Sequence, residues 1–389
     1  MSEIQLTMQH RVLIGVCLAV PALVGIGVAA GAGGQTAAEP GLTAGEVFDN
    51  VQVLQDMPVD DFLASMGLMC ASLGWDCANC HVNAGTRDVD WAADPPAKIM
   101  ARRMVRMVDA INRDHFGGRQ VVSCFTCHHS RDRPLLTPTM EHAYGAPPLY
   151  ADDLFAGVPG APAPETILDN YIEALGGAER VNGVTSYSAT ATSVGFGGFG
   201  GGGTVRIWAQ VPDKRSTVIE FREAAGRDNS ARTYDGSAGW INTPLSVLGE
   251  YALSGTELDG ARFDAMIAFP GQLGDVLSVL RVGYPDYIDG RPVEVVQGSG
   301  PRGLVVTLYF DQETGLLTRY IRYGRSPIGR LPTQVDYADY REVEGVMIPH
   351  QWTFSWLDGR DSFEITDIDI NASIDERVFG RPSLIDAVR

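Results

Sequence analysis

Two short segments of the chain have the residue types and the spacing that covalent haem attachment requires. They read Cys-Ala-Asn-Cys-His at residues 77–81 and Cys-Phe-Thr-Cys-His at residues 124–128. Two thiols at this spacing reach the two vinyl groups of one porphyrin, and the adjacent histidine offers a nitrogen to the iron. We therefore predict two covalently bound haem c groups. The predicted attachment residues are Cys77, Cys80, Cys124 and Cys127, and the predicted proximal iron ligands are His81 and His128.

Zinc binding and dithiol redox chemistry are the alternative interpretations of these cysteines. Two Cys-x-x-Cys pairs can supply four thiolates to one zinc ion. The histidine directly after each second cysteine favours haem, because a four-thiolate zinc site does not use it. Haem is therefore the prediction, and zinc or a redox dithiol remains the alternative.

The segment before the first motif has the periodicity of a helix that presents methionine. Phe62, Met66, Met69 and Leu73 fall at i, i+4, i+7 and i+11, which places them on one helix face. Acidic residues stand at the start of this pattern, and Gly74 ends it. The sequence therefore predicts a helix that ends directly before the first motif.

The segment before the second motif repeats this plan. Asp94 is the predicted N-cap, Pro95 and Pro96 suit the start of a helix, and residues 97–113 have helical periodicity. Its apolar face consists of Met100, Met104, Met107 and Ile111. Glycines at 117 and 118 break the helix before the second motif begins.

Each haem iron has a second axial position, for which cytochromes of this type commonly use a methionine sulfur. Met66 and Met104 lie on the apolar faces that must cover the two rings. Packing in a core is the alternative role for a methionine stripe, and spacing alone does not separate these two residues from Met69, Met100 and Met107. Histidines at 115, 129 and 142 are further candidates for the distal position, with surface residues as the alternative.

The composition limits the compartment and the partners. A net charge of -18 excludes nucleic acid as a partner, because its phosphates would be repelled. Residues 12–30 are almost wholly apolar and are followed by small residues. Residues 1–32 are therefore predicted to be a secretory signal peptide or, alternatively, an uncleaved membrane anchor. Either interpretation places the folded part at the periplasmic side of the inner membrane.

The second half of the chain has the pattern of a β-rich domain. Residues 137–163 are proline-rich and predict a linker, and residues 165–175 predict a short helix. Strand-like runs separated by turn signals follow. These runs are 184–193, 204–211, 216–222, 232–240, 292–296, 303–310, 316–323, 333–340, 348–356 and 362–370. Residues 261–280 look helical, with an interruption at 270–271.

The predicted fold class is α+β with two domains. Residues 44–136 are expected to form a small α-helical di-haem cytochrome c domain. Residues 164–389 are expected to form an antiparallel curved β-sheet or incomplete β-barrel with a packed helix.

Residues 44–136 resemble the cytochrome subunit family of photosynthetic reaction centres. The resemblance lies in Asn-Val-Gln-Val-Leu at 50–54, Ala-Arg-Arg-Met-Val-Arg-Met at 101–107, Ala-Ile-Asn at 110–112 and the motif at 124–128. In that family a preceding antiparallel helix supplies a methionine as the sixth ligand of each haem. The resemblance therefore implies Met66 and Met104 as distal ligands. The family usually carries four haems, whereas this chain has motifs for two.

Residues 164–389 resemble, more weakly, the outer-membrane lipoprotein-carrier fold (LolA/LolB-like), an incomplete β-barrel around a helix. The resemblance lies in Ile-Leu-Asp-Asn-Tyr-Ile-Glu-Ala-Leu-Gly-Gly at 167–177 and Tyr-Arg-Glu-Val-Glu-Gly-Val-Met-Ile-Pro at 340–349. Such folds can hold an acyl chain. The resemblance therefore implies a lipid or a quinone as a candidate ligand, with a docking or assembly role as the alternative.

Taken together, these patterns predict an exported carrier of single electrons. Its expected partners are a redox protein donor and acceptor, and the first resemblance implies a membrane complex such as a reaction centre. Two six-coordinate irons need no bond-breaking chemistry, so an electron carrier is expected rather than an enzyme. The alternatives are a haem peroxidase with one open iron, a structural subunit of a membrane complex, and a lipid- or quinone-binding envelope protein with accessory haems.

Overall fold

The two methionine-bearing helices form where the sequence predicts them. In a computed structural model, α2 spans Val59–Leu73 and α3 spans Pro96–Phe116. They end at Gly74 and Gly117, whose φ angles of 67° and 61° are left-handed and favour glycine. The structure describes residues 41–86, 88–134, 136–145, 157–195, 202–221, 229–243 and 248–385.

The start of α3 differs from the prediction. Pro95, rather than Asp94, is the N-cap residue, and Pro96 opens the helix. The Asp94 carboxylate instead accepts hydrogen bonds from Arg102 at 2.6 Å and from Asn50 at 2.9 Å. The Asp94 carboxylate thus pairs with the buried Arg102 instead of capping the helix. Its bond with Asn50 connects α3 to the segment that precedes α2.

The remaining helices are short. They are α1 (Ala44–Val47), α4 (Cys124–His128), α5 (Met140–Tyr144), α6 (Pro164–Ala174), α7 (Ala178–Gly183), α8 (Gly255–Met266), α9 (Leu273–Val276) and α10 (Pro382–Ile385). The helix predicted over 165–175 is confirmed as α6. The predicted linker contains the single turn of α5, and residues 146–156 within it lie outside the described residues.

The strands form one large antiparallel sheet. They are β1 (Ser186–Ser193), β2 (Gly203–Gln210), β3 (Lys214–Phe221), β4 (Ser230–Tyr234), β5 (Gly239–Asn242), β6 (Glu250–Ala252), β7 (Ser278–Val282), β8 (Asp286–Ile288), β9 (Arg291–Ser299), β10 (Val305–Asp311), β11 (Leu317–Ser326), β12 (Gly329–Val343), β13 (Val346–Trp356) and β14 (Gly359–Ile370). The strand order is β6-β5-β4-β3-β2-β1-β14-β13-β12-β11-β10-β9-β7, and β8 pairs with β9. Within the described residues, β6 and β7 do not pair, so the sheet stays open. The predicted α+β class is confirmed, whereas a separate di-haem domain remains a prediction.

Two parts of the strand and helix assignment were wrong. The run 232–240 divides into β4 and β5, because Gly236 adopts a left-handed φ of 98° in the turn between them. The pattern over 261–280 is not one interrupted helix. It divides into the end of α8, a 3₁₀ turn at Pro270–Gln272, α9 and the strand β7, because Pro270 cannot continue a helix.

The main core lies between the sheet and the helices α6 and α8. Buried apolar residues from both sides meet there, including Tyr171, Phe263, Phe310 and Tyr320. The Tyr171 and Phe310 rings lie 5.2 Å apart, and the Phe263 and Tyr320 rings lie 5.5 Å apart. Such aromatic pairs add specific geometry to the area they bury.

A second core joins the helical segment to the sheet. Leu68 of α2 and Val105 of α3 pack with Ile328 and Leu331 from the β11–β12 hairpin. The backbone N–H of Cys124 also donates to the Ile328 carbonyl at 3.4 Å. Residues 38–389 form one compact unit. The predicted boundaries between the domains remain a prediction.

No helix within the described ranges is long and apolar enough to cross a bilayer. The apolar run at residues 12–30, the predicted signal peptide or anchor, lies outside the described residues.

Candidate functional site

The first Cys-x-x-Cys-His motif folds into a tight turn directly after α2. Cys77–Asn79 form a 3₁₀ helix whose N-cap is Asp76. The Asp76 carboxylate accepts from the Ala78 N–H at 2.9 Å, and the Asp76 N–H donates to the Asn79 side chain at 3.0 Å. This reciprocal capping satisfies N–H groups that the helix start leaves free. It holds the two cysteines about one turn apart, as thioether attachment requires.

This motif opens onto a large cavity. The cavity has a volume of about 1770 Å³ and is lined by Cys77, Cys80, His81 and Met66. Ligand pockets commonly measure about 300–1,000 Å³, so there is room for a porphyrin and for more. The structure therefore brings together all four residues that the sequence assigned to the first haem. Whether Met66 or its neighbour Met69, which also lines the cavity, binds the iron remains a prediction.

His81 is half-buried and lines the cavity together with the first pair of cysteines. Its Nδ1 atom is buried and has no hydrogen-bond partner within the described residues. The Trp91 ring packs edge-on against the imidazole, with ring centroids 4.9 Å apart. Burial, with a further contribution from Lys98, lowers the pKa of His81. The neutral form, which can bind iron, is thereby favoured.

The second motif forms the short helix α4. Ser123 is its N-cap, and its hydroxyl accepts from the Thr126 N–H at 3.3 Å. The His128 Nδ1 atom donates to the Arg131 carbonyl at 2.9 Å. Metal-binding histidines characteristically use the second ring nitrogen in this way, because the bond fixes the ring and leaves Nε2 for the metal. Cys124 is half-buried against the core around Leu68, and Cys127 is exposed.

The structure places Met104 on the less buried side of α3. The helix buries Arg102, Val105, Val108 and Asn112, while Met104 is half-buried. Its neighbours on the same face, Met100 and Met107, are 49% and 43% exposed. Met104 does not line the large cavity. Its role as distal ligand of the second haem therefore remains a prediction.

Apolar side chains in and before the second motif and on α3 are exposed. They include Val121, Phe125, Met100 and Met107. A porphyrin attached at Cys124 and Cys127 would lie next to Phe125, which stands between the two cysteines in the sequence.

Zinc and other histidines are the alternative interpretations of the site. No three or more histidine, cysteine or acidic side chains in the described part of the chain are grouped so that they could hold a metal ion. The two cysteine pairs are thus not gathered into one four-cysteine cluster there. His115 is exposed at the end of α3, and His129 is exposed with its ring 5.3 Å from Phe125. The side chain of His142 lies outside the description.

Cys70 is the one further cysteine of the described residues. It lies on α2, lines the cavity and is half-buried. Burial raises its pKa to about 12. It therefore stays a thiol at neutral pH and can pack as a small apolar side chain.

The residues present fit a haem c at both motifs. Each motif offers two thiols and a histidine, and the first lines a cavity of sufficient size. The second has an imidazole already oriented by a backbone carbonyl. These are the features that covalent haem requires of a protein.

Sequence reasoning missed the inner end of the cavity. Arg215 lies there, and its Nη1 donates to the Tyr187 hydroxyl and to the Asp264 carbonyl, both at 3.4 Å. Within the described residues it has no carboxylate partner. The aromatic residues Tyr337 and Trp352 line the cavity beside it. The sequence held no clear signal, because the inward direction of Arg215 depends on strand register.

A buried ionic network stands beside this end. Arg322, which is 1% exposed, lies 3.4 Å from the Glu257 carboxylate and 3.3 Å from that of Asp264. Glu257 also pairs with Arg232 at 3.0 Å. Pairing with the two arginines outweighs burial and lowers the pKa of Glu257 to about 2. The network is thus charged and internally compensated.

The first turn of α2 adjoins this network. The Thr256 hydroxyl donates to the Asp61 carboxylate at 2.5 Å. Burial, reinforced by Glu257, raises the pKa of Asp60 to about 7, and burial raises that of Asp61 to about 6. Two buried carboxyl groups therefore link the helical segment to α8.

The helical segment is similar to known proteins. Residues 29–142 match the family described as "Photosynthetic reaction centre cytochrome C subunit". The chain is 35% identical over 102 residues to the photosynthetic reaction center cytochrome c subunit of Thermochromatium tepidum, covering 24% of this chain and 23% of that protein. It is 30% identical over 116 residues to the subunit of Roseobacter denitrificans, covering 26% and 30%. The chain thus spans about a quarter of the length of these relatives.

Two solved structures are similar to part of this chain. A DUF1329 family protein from Desulfovibrio piger matches 57% of this chain and 98% of its own, with a TM-score of 0.40 and 13% identity. A LolA superfamily protein from Nitrosomonas europaea matches 57% and 100%, with a TM-score of 0.38 and 12% identity. Scores this low imply nothing about activity. The family similarity is limited to residues 29–142, which are under a third of the chain. These residues are similar to the cytochrome c subunits of photosynthetic reaction centres.

Proposed function

We propose that the protein is an exported di-haem c-type cytochrome that carries single electrons. The observation that supports this most is the arrangement at the first motif. Met66, Cys77, Cys80 and His81, which are up to fifteen positions apart in the sequence, line one cavity large enough for a porphyrin. The similarity of residues 29–142 to reaction-centre cytochromes agrees with it.

The protein's own residues have defined tasks in this proposal. When bound, haem c supplies reversible one-electron chemistry at its iron. Cys77 and Cys80 fix the first ring, and Cys124 and Cys127 fix the second. His81 and His128 bind the irons, and the Arg131 carbonyl holds the His128 imidazole in place. The apolar lining keeps water from the first ring, which raises its reduction potential.

Mass spectrometry of the purified native chain tests the proposal directly. The expected mass is that of the processed polypeptide plus two haems, because both motifs are intact. A Cys77→Ser/Cys80→Ser variant should lose one haem, and the matched Cys124→Ser/Cys127→Ser variant should lose the other. A native mass equal to that of bare polypeptide would contradict the proposal. The same spectrum gives the N-terminus and so decides between a cleaved signal and an anchor.

We also propose that both irons are six-coordinate, so that the protein is a carrier and not an enzyme. Met66 and His81 would hold the first iron and Met104 and His128 the second, and no position would then be open to a substrate. The reduced protein should then show the same spectrum with and without carbon monoxide. A shift at either haem would favour a peroxidase-type site instead.

The proposed setting is the periplasmic side of the inner membrane, with the protein as the electron-donating subunit of a reaction centre or another membrane complex. The family similarity supports this setting. Copurification with membranes at a fixed ratio to one complex is the expected result. Recovery of free monomer alone would contradict the subunit role and leave the electron-carrier proposal intact.

A lipid or quinone site is a second candidate function, and the inner end of the cavity favours it. The cavity continues past the first motif to Arg215, whose guanidinium has only two long hydrogen bonds and no carboxylate partner within the described residues. Such a group is suited to a ligand with an oxygen-bearing head and an apolar tail. Organic extraction of purified protein should release that ligand, and an Arg215→Gln variant should release less. An empty extract would exclude the idea.

A further inference from the structure

The segment around the second motif has the opposite charge to the rest of the chain. Residues 98–133 contain eight lysines and arginines and three acidic residues, a net charge of +5. The whole chain carries -18, so the remainder carries -23. A positively charged segment on a protein that is otherwise negative directs negatively charged partners to that segment.

Most of these cations are available at the surface. Arg102 is buried and paired with Asp94, and Arg113 is paired with Asp109 and Asp114. Five others are exposed and form no ion pair within the described residues. They are Arg103, Arg106, Arg119, Arg131 and Arg133. We call these five residues the arginine surface.

Exposed apolar side chains occur among these arginines along the chain. Val121 is 50% exposed, and Phe125 and Met107 are also exposed. Arg119 and Arg131 lie on either side of Val121 and Phe125 in the sequence, and Arg106 precedes Met107 on α3. Arginine, methionine and aromatic residues are enriched in protein–protein interfaces.

This surface is also fixed in position. The Gln120 side chain donates to the Ser326 carbonyl, and the Cys124 N–H donates to the Ile328 carbonyl at 3.4 Å. The Arg131 N–H donates to the Ser72 carbonyl at 3.2 Å. The β11–β12 hairpin and α2 thus hold the segment from two sides. A rigid surface loses little conformational entropy when it binds a partner.

We propose that the arginine surface is the docking site of an acidic redox protein. This rests on the proposed electron-transfer function, and it reverses the basic partner that the overall charge would suggest. An anionic membrane or a nucleic acid extends well beyond this segment and would also face the acidic remainder, whose charge of -23 opposes their approach.

Binding to two small redox proteins of opposite charge tests the proposal. The probes are an acidic copper protein of the plastocyanin type and a basic cytochrome c of the mitochondrial type. Titration calorimetry with the native holoprotein should show binding of the acidic probe. Its Kd should rise roughly tenfold between about 20 and about 200 mM salt, because screening weakens the attraction. Tighter binding of the basic probe would overturn the proposal.

Charge reversal locates the site. Arg106→Glu and Arg119→Glu should each raise the Kd of the acidic probe roughly threefold to tenfold. Arg360→Glu is the matched control, since Arg360 is exposed on β14 without an ion pair within the described residues; its effect should stay below about twofold. Equal effects of all three variants would show a general charge effect and overturn the proposal.

Two further measurements distinguish an acidic protein partner from a membrane and from a second copy of the chain. The mass of the native chain distinguishes failure of the proposed function from failure of the docking proposal. The native protein should not sediment with vesicles of anionic phospholipid. Binding to the vesicles that is lost in Arg106→Glu would assign the surface to the membrane instead. Concentration-dependent self-association lost in the same variant would assign it to a second copy. If the native chain holds no haem, the proposed function fails, and the calorimetry with the acidic probe still decides the docking surface.

Discussion

In the proposed cytochrome, Met104 is the residue that would complete the coordination of the second iron. It is half-buried on α3, next to the exposed Met100 and Met107. If its sulfur completes the coordination of the second iron, Met104→Ala should remove the absorption band of methionine–iron ligation from one of two haems, halving its intensity. The reduction potential of that haem should fall, because methionine ligation raises it.

Met107→Ala is the control for this variant, because Met107 lies one turn away on the same face and is 43% exposed. Its spectrum should match that of the native protein. If Met104→Ala keeps the full band and Met107→Ala loses half of it, the ligand is Met107. Optical titration of both variants supplies the two potentials.

At the scale of elements, the contact between α2 and α8 should make stability depend on pH. The pKa of Asp60 is raised from 3.8 to about 7 in the folded protein, so the folded state binds a proton that the unfolded state releases. The contribution of Asp60 is complete below about pH 4 and is lost as the pH rises to about 7. We expect the free energy of unfolding to fall over this range, by up to about 4 kcal/mol for Asp60 alone.

An Asp60→Asn variant should flatten this dependence, because the amide does not titrate. Urea unfolding at pH 4, 5, 6 and 7 measures it. Asp56→Asn, at an exposed position, should retain the native slope. A stability that rises from pH 4 to 7 in the native protein and is unchanged in Asp60→Asn would contradict the assignment.

The buried network between α8 and the sheet gives a second prediction at this scale. Glu257→Gln leaves Arg322 and Arg232 without their shared carboxylate, and Arg322 is 1% exposed. Breaking a buried pair on one side typically costs 3–5 kcal/mol. Because Asp264 still faces Arg322 at 3.3 Å, we expect a loss of about 3 kcal/mol in chemical denaturation.

The control for this network is Glu313→Gln, which removes an exposed partner of Arg291. Exposed pairs contribute about 0–1 kcal/mol, so its midpoint should barely move. Comparable losses for the two variants would show that the buried network adds no more than a surface pair.

At the scale of the whole molecule, the shared core around Leu68 should couple the haem segment to the sheet. Leu68 is 6% exposed and packs with Val105, Ile328 and Leu331. Leu68→Ala should cost about 2–5 kcal/mol. Tryptophan fluorescence and haem absorption should report the same lowered midpoint, because both parts belong to one compact unit. A shift in the haem signal alone would indicate two independently folding domains.

The sequence predicted those features of the site that depend on local spacing. The two motifs, the helices before them and the methionine faces all follow from patterns within about twenty residues. The buried face of α3 could not be predicted from such local patterns. Arg102 is held there by Asp94 and by the Asn50 carbonyl, which lies 52 positions earlier. The strands β6 and β8 have three residues each, too few for periodicity to detect. The position of Arg215 in the cavity depends on pairing with β2 and β4, which no local pattern specifies.

The order in which the chain is made gives the large cavity a consequence for assembly. Its lining includes Met66, Cys77 and Cys80 and also strand residues such as Trp352, some 270 positions later. In the proposed cytochrome, the surroundings of the first haem would therefore be complete only after the last strands have been made and have paired.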